Sequence, residues 1–431
     1  MEEQESPTIS AQIRGDRSEV LPRLMVLGAY RFPHGDAMSN RLLHLARSAT
    51  PEGTVTLVVN DWPAGDSPPG PGPDLPSDVR LITLPGGGGG RFGRWLHQRT
   101  RPLRVLAALR RAGIRTDQLT GVYLPLGLWT LTTWAVLRVV LRCPLTVDVV
   151  ERHDPEQFPH GRLTPYFIRH RWSTFLAGRT ADRVIAISET LERHFLRRGR
   201  RTMVVPPQVD CADYDDPAPA SLCDGLRLLY AGSAGPKDLL AVVLEGIRLL
   251  PPGERARVRL VIAGMSRDQA ANVSDLDESA LAEFGDQVTF LGRLSRRQVL
   301  EELARAHFSV LVRPTVGYAQ AGFPSKVPES LAAGCPVLLN HTSDLARHIV
   351  DGREGIVLAG PSAEHVRAGL ARALTLDDPQ WWRMSRYARD RARSFDYRSW
   401  RPAVSGFVAG DDRGAGGANS ASAASSPASR R

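Results

Sequence analysis

Lysine is almost missing from this sequence: of 55 basic side chains, only Lys237 and Lys326 are not arginine. Cysteine is scarce too. Cys143, Cys211, Cys223 and Cys335 form no C-x-x-C pair and have no His-rich tract beside them, which argues against a structural zinc site and a disulfide framework. The chain therefore reads as cytosolic and reduced, with Cys335 a small buried side chain. Residues 1–20 are polar and lack an apolar core, so they read as a disordered arm and not as a secretory leader. The Gly, Ala, Ser, Asp and Arg of 410–431 read as a disordered tail. No apolar run reaches the roughly 20 residues of a membrane span. In the nearest approach, 122–141, Pro125 and Gly127 break the start and Arg138 interrupts the end, so a buried strand followed by a packed helix is expected there. The P-loop pattern G-x-x-x-x-G-K-[ST] is absent, and so is G-x-G-x-x-G after the first strand, where 27–35 reads LGAYRFPHG.

What is present is the balance of a globular enzyme: 431 residues, 42% hydrophobic and 23% charged, long enough for two or three cores. The net charge of +9 sits in the N-terminal half, where residues 1–210 carry 28 Arg against 20 Asp and Glu. It concentrates in 91–115, which has eight Arg and no acid. Such a stretch is either a solvated amphipathic helix or a surface for an anionic membrane or acceptor. No nucleic-acid-binding motif accompanies it, so nucleic acid is not expected as a partner.

Short apolar runs alternate with helical periods. Strands are expected at 23–29, 54–60, 79–84, 121–126, 145–150 and 183–188, with helices near 37–48, 92–112, 129–141, 165–179 and 189–198. The pattern restarts with strands at 226–232, 258–263, 288–291, 308–313, 336–339 and 355–358. Helices between them fall near 238–250, 295–305, 325–333, 343–350, 363–376 and 380–394. This alternation predicts an α/β chain of two doubly wound, parallel-sheet, Rossmann-like domains facing a cleft. The boundaries are 21–208, a Pro- and Asp-rich linker at 209–225, and 226–395, with 396–409 a closing segment that packs back on the first domain. Ligands in such sheets bind beyond the carboxyl ends of the strands.

The two lysines stand where an anion is expected. An ammonium is a compact point charge, whereas guanidinium is a broad fork, and a tight diphosphate pocket suits the former. Lys237 follows an apolar strand in YAGSAGPKD, at the start of a helix, with Gly232 allowing close backbone approach. Lys326 stands in GFPSKVPESLAAGCPV, where a loop enters a helix. Ser325 is the expected N-cap, and Glu329 follows one turn later on the same face, able to accept two ribose hydroxyls.

These motifs resemble glycosyltransferase family 4, whose members have the GT-B fold. The resemblance covers roughly 23–409 and is strongest in 308–345, FSVLVRPTVGYAQAGFPSKVPESLAAGCPVLLNHTSDL, with support from RVIAIS at 183–188, MVVPPQVD at 203–210 and VTFLGRL at 288–294. It implies that Lys237 and Lys326 contact the donor's phosphates, that Glu329 holds the ribose, and that the backbone of Gly322, Phe323 and Pro324 faces the sugar. Gly292 to Leu294 would lie along the base. Gly35, Asp36 and Asn40, in HGDAMSN, occupy the place of the family's loop beside the diphosphate, and Glu151 is the candidate for sugar or acceptor contact.

The sequence also departs from the family. A second Glu, common eight positions before Glu329, is Ala321 here, and an Arg common after Gly232 is Ser233; Arg313 is the candidate to replace that charge. His153 stands displaced from the place of a frequent family His. The resemblance implies a retaining transfer from a nucleotide sugar, with no metal and no further cofactor. The acceptor would be a glycan, a lipid-linked intermediate at the inner membrane face or a small molecule.

Overall fold

The computed structural model describes residues 24–33, 36–61, 75–84, 90–232, 237–273 and 281–410. In the N-terminal half lie strands β1 (Leu24–Gly28), β2 (Thr56–Asp61), β3 (Val79–Leu84), β4 (Gly121–Pro125), β5 (Leu145–Val149), β6 (Arg183–Ala186) and β7 (Arg201–Val204). They form one parallel sheet in the order β3-β2-β1-β4-β5-β6-β7. The C-terminal half carries β8 (Leu226–Ala231), β9 (Val258–Ala263), β10 (Val288–Gly292), β11 (Phe308–Leu311), β12 (Val337–Asn340) and β13 (Gly355–Leu358). These pair in parallel as β10-β9-β8-β11-β12-β13. In each sheet the strand order reverses once, beside β1 and beside β8, which sets a crevice at the carboxyl ends.

The composition of the strands explains the pattern. β1 (LMVLG) and β5 (LTVDV) are buried along their whole length because helices cover both faces of a parallel sheet. β7 is the exception. It is an edge strand, opposite β3, and only partly buried, and its RTMV carries no apolar run, so the sequence pattern passes over it. The segment 122–141 splits as expected into β4 and a helix, Leu131–Leu141. Among the described residues no helix is long and apolar enough to cross a membrane. The helix expected at 343–350 is instead a single turn, Leu345–Arg347; Ser343 adopts a left-handed φ of 53°, and such a residue cannot continue an α-helix.

The chain crosses between the halves twice, and the crossings are bonded to each other. The Val209 N–H donates to the Phe395 carbonyl at 3.0 Å, and the Tyr397 N–H donates to the Val209 carbonyl at 3.0 Å. Helix Tyr397–Ala409 then packs on helix Ala37–Ala49, burying Val404, Phe407 and Val408 with Leu42 and Leu43. One buried ion pair fixes the floor of the N-terminal half. Arg41 forks onto Asp148 with contacts of 2.9 and 2.8 Å, and its third nitrogen donates to the carbonyls of Val205 and Pro206, where the first crossing begins.

Candidate active site

The carboxyl ends of β5, β8 and β11 converge on the cleft, which is lined by Asn40, Arg41, Glu151, Lys237, Arg313, Gly322, Pro324 and Glu329 among others. Its C-terminal wall is organised by a residue the sequence reading did not single out, Asp238. Lys326 donates from Nζ to Asp238 Oδ2, Tyr230 donates its hydroxyl to the same oxygen at 2.8 Å, and Arg313 Nε donates to Oδ1 at 2.9 Å. Burial alone would raise the Asp238 carboxyl, but Lys326 and Arg313 outweigh it and hold it below the usual range. Lys326 is pushed down by its burial, against the pull of Asp238. Its ammonium also lies over the Tyr230 ring, 4.1 Å from the centroid. Arg313 thus stands beside Lys326, oriented by Asp238, with its own N–H bound to Asn340 Oδ1 at 2.8 Å.

Gly232 is required here. Its φ is +138°, and a Cβ would come within 2.6 Å of Lys326 Cε. The neighbouring strand ends repeat the device: a Cβ on Gly264 would lie 2.8 Å from the Gly232 carbonyl carbon. The ends of β8 and β9 can therefore approach each other, which leaves the lysine a channel along bare backbone.

Lys237 lies in the turn before helix Leu240–Arg248, not within its first turn; the helix opens at Leu239, with no side-chain cap. From that turn it crosses the cleft and pairs with Glu151, just beyond β5. Burial would raise Glu151, but the hydrogen bond from His153 at 3.0 Å and the Lys237 charge hold it down at about 2. His153 also meets the Tyr166 hydroxyl at 3.3 Å, so the displaced histidine is tied to Glu151 and not isolated.

Glu329 projects from helix Lys326–Ala332 toward the other half, where Asn40 Nδ2 donates to it at 3.4 Å; Arg296 stands 4.0 Å away. Burial raises its carboxyl, and those two neighbours only partly oppose this. Ser325 occupies the N-cap position but has helical backbone angles and makes no capping bond, so the expected side-chain cap is absent. Phe323 is turned inward against His348 and Phe395, leaving the Gly322–Pro324 backbone on the cleft wall. Asp36 caps helix Ala37–Ala49 by accepting from the Ser39 N–H at 2.8 Å, so it has a structural task. Gly292 ends β10 with a φ of +64° and open space at its α-carbon, while Leu294 packs partly against the core. Ala321 is fully buried, and its carbonyl accepts from Ser188 at 2.6 Å across the halves. Gly35 and Ser233 lie outside the described residues.

The basic stretch of 91–115 forms helix Arg91–Arg111, and part of its charge turns inward. Asp61, at the end of β2, accepts from Arg101 at 2.6 Å and from Arg104 at 3.2 Å, and meets His97 at 3.2 Å. Trp95, Leu96 and Leu103 are exposed on the same helix.

Two doubly wound halves with a cleft between their carboxyl edges define the GT-B fold. Residues 222–391, which carry both lysines and Glu329, match the family described as Glycosyl transferases group 1, and this supports a glycosyltransferase family. Over 222 residues the chain is 28% identical to a D-inositol 3-phosphate glycosyltransferase of Nocardiopsis dassonvillei, covering 47% of this chain and 49% of that protein. The match therefore spans about half the length of that curated relative. Among solved structures, Anabaena HepE in complex with UDP and glucose is similar with a TM-score of 0.63 at 16% identity, over 89% of this chain and 98% of that one. Sucrose-phosphate synthase from Thermosynechococcus elongatus is similar with a TM-score of 0.66 at 16% identity, over 89% and 97%. At such identities the likeness is one of fold.

Proposed function

We propose that this chain is a nucleotide-sugar-dependent glycosyltransferase, a family 4-like hexosyltransferase that transfers with retention and without a metal ion. The observation that carries the reading is the placing of the two lysines. Where every other Lys or Arg position is arginine, Lys237 lines the cleft and Lys326 is joined through Asp238 to the cleft-lining Arg313, each lysine matched to a carboxylate that a diphosphate can replace as partner. In the reaction the acceptor hydroxyl oxygen bonds to the anomeric carbon as that carbon's bond to the phosphate oxygen breaks. The electron pair leaves with the nucleoside diphosphate, and the departing phosphate oxygen takes up the hydroxyl proton. Two fixed ammonium groups and Arg313 stabilise the charge that develops there, and such preorganised electrostatics are usually the largest catalytic contribution. Glu329 is assigned to the donor ribose and Glu151 to the sugar or acceptor.

The complex of HepE with UDP and glucose supports uridine as the first base to test. The pathway is glycan, polysaccharide or glycosylated natural-product synthesis, and the enzyme works in the cytoplasm, at the inner membrane face when its acceptor is lipid-linked. A thermal-shift panel of UDP, GDP, ADP, TDP and their sugar conjugates, on wild type and Lys326→Ala, tests the donor site. One nucleotide should stabilise the wild type alone, and stabilisation by none of them would overturn the reading. Proton NMR of the product checks retention, and the rate should be unchanged by a chelator. Ala321, buried at the position where the family resemblance implies a second glutamate, favours a second reading of a donor-binding protein without turnover. Nucleotide binding with no sugar transferred would select it.

A further inference from the structure

Behind Glu151 the N-terminal half forms a solvent-open cavity of about 660 Å³. Its wall carries Arg152, Arg162, Arg171, Arg193, Arg197 and Arg198. They come from separate elements: the segment after β5, the turn Gly161–Leu163, helix Pro165–Thr180, and helix Glu189–Leu196 with the residues just beyond it. Only Glu151 and Asp154 oppose them within the lining. Both are committed, Glu151 to Lys237 and His153, and Asp154 to Arg152 at 3.4 Å. Among the described residues no carboxylate forms an ion pair with Arg162, Arg171, Arg193, Arg197 or Arg198.

Gathering unneutralised like charges around one cavity works against the compact state, and an anionic ligand offsets that cost. The polar lining is incomplete in the same sense: His153 Nδ1 and His194 Nε2 are buried without a hydrogen-bond partner. Burial, with the charges of Arg198, Arg152 and Arg197, pushes His194 down to about 4, which registers the positive potential of the place. Guanidinium forks match phosphate oxygens in pairs. A cavity of this volume takes a sugar or polyol phosphate or a headgroup.

We infer that this cavity is the acceptor subsite and that the acceptor bears a phosphoryl or diphosphoryl group, held by Arg162, Arg171, Arg193 and Arg197 with its reacting hydroxyl turned toward Glu151. The assignment rests on the transferase reading for the word acceptor, but the anion site rests on the cavity alone. The phosphate can belong to a free sugar phosphate or to a lipid-linked headgroup. Beside the cavity Leu163, Ile168 and Trp172 face solvent, which gives the second source something to test.

The experiment uses the full chain and the variant with Arg162, Arg171, Arg193 and Arg197 all changed to Gln. Calorimetry measures UDP, glucose 6-phosphate, glucose and inorganic pyrophosphate, and sedimentation measures phosphatidylcholine vesicles with and without polyprenyl phosphate. The wild type should bind glucose 6-phosphate or the polyprenyl-phosphate vesicles, and should ignore glucose and plain vesicles. The variant should lose that binding at least about tenfold, the order expected for charge-assisted hydrogen bonds, while UDP binds it unchanged. Binding of the soluble phosphate alone assigns a free acceptor, and binding of the vesicles alone assigns a lipid-linked one. Retained UDP binding shows that the variant is folded. Arg197→Gln alone, at a position exposed like the other cavity arginines, should lose severalfold and serves if the fourfold change does not fold. Equal binding of glucose 6-phosphate or of the polyprenyl-phosphate vesicles by wild type and variant, or of neither by the wild type, overturns the proposal. Failure of UDP, GDP, ADP and TDP alike to bind a wild type that still binds the phosphate probes would sink the transferase reading instead, leaving an anion site.

Discussion

The C-terminal wall of the cleft and the N-terminal cavity hold their positive charge in opposite states. On the C-terminal wall, Lys326 and Arg313 are paired with Asp238, and Lys237 reaches across to Glu151, so each cation has a fixed direction before any ligand arrives. In the N-terminal cavity, five of six arginines have no carboxylate partner among the described residues. The first arrangement meets the cost of ordering in the fold and suits a transition state. The second leaves neutralisation to the ligand and suits recognition of an anion. Composition hides this difference, because the two lysines and the many arginines all count as one charge each.

The largest expected effect falls on a pair that belongs to neither group. Asp148→Ala would leave the Arg41 guanidinium buried and unpaired, and urea unfolding should show a loss of about 3–5 kcal/mol. A loss under 1 kcal/mol would mean that Arg41 finds water instead. Next is Lys326→Ala, which should lower turnover by about 100-fold or more, as loss of one oxyanion donor typically does. Unchanged turnover would erase the contrast between the halves. Gly232→Ala follows, expected to cost about tenfold through displaced Lys326, since a single Cβ meets that side chain at 2.6 Å.

Acid should then separate folded from unfolded through His44. Burial first, and Arg296 and Arg47 after it, lower its imidazole from 6.5 to about 3. Between those values the unfolded chain holds the extra proton, so this contribution is intact above pH 6.5 and falls as pH drops toward 3. The slope is about 1.4 kcal/mol per pH unit, and His44→Gln should remove it from a stability-versus-pH series. An unchanged slope would show that His44 is hydrated. The smallest effect is that of salt. Raising ionic strength should weaken phosphate binding in the exposed cavity more than UDP binding in the pre-paired site, and equal weakening would contradict the comparison.

Much of the fold was legible because parallel strands buried on both faces write continuous apolar runs, as in β1. β7 wrote none, being an edge, and 343–350 carried Leu345 and Ile349 at helical spacing although Ser343 bends the backbone the wrong way. In the site, Lys326 and Glu329 stood out by composition and spacing. Asp238 did not, because its partner Lys326 lies 88 residues along the chain and no local pattern joins them. The arginine cavity was illegible for the same reason, being assembled from separate segments of an already arginine-rich half.

The double crossing at Val209 and Asp396 acts as a spine. There the two crossing segments lie side by side and are joined by backbone hydrogen bonds, so two tethers and not one link the halves. A protease nick within 206–225 would sever one tether and leave the other. The nicked chain should still sediment as a single particle under native conditions and fall into two pieces only when denatured.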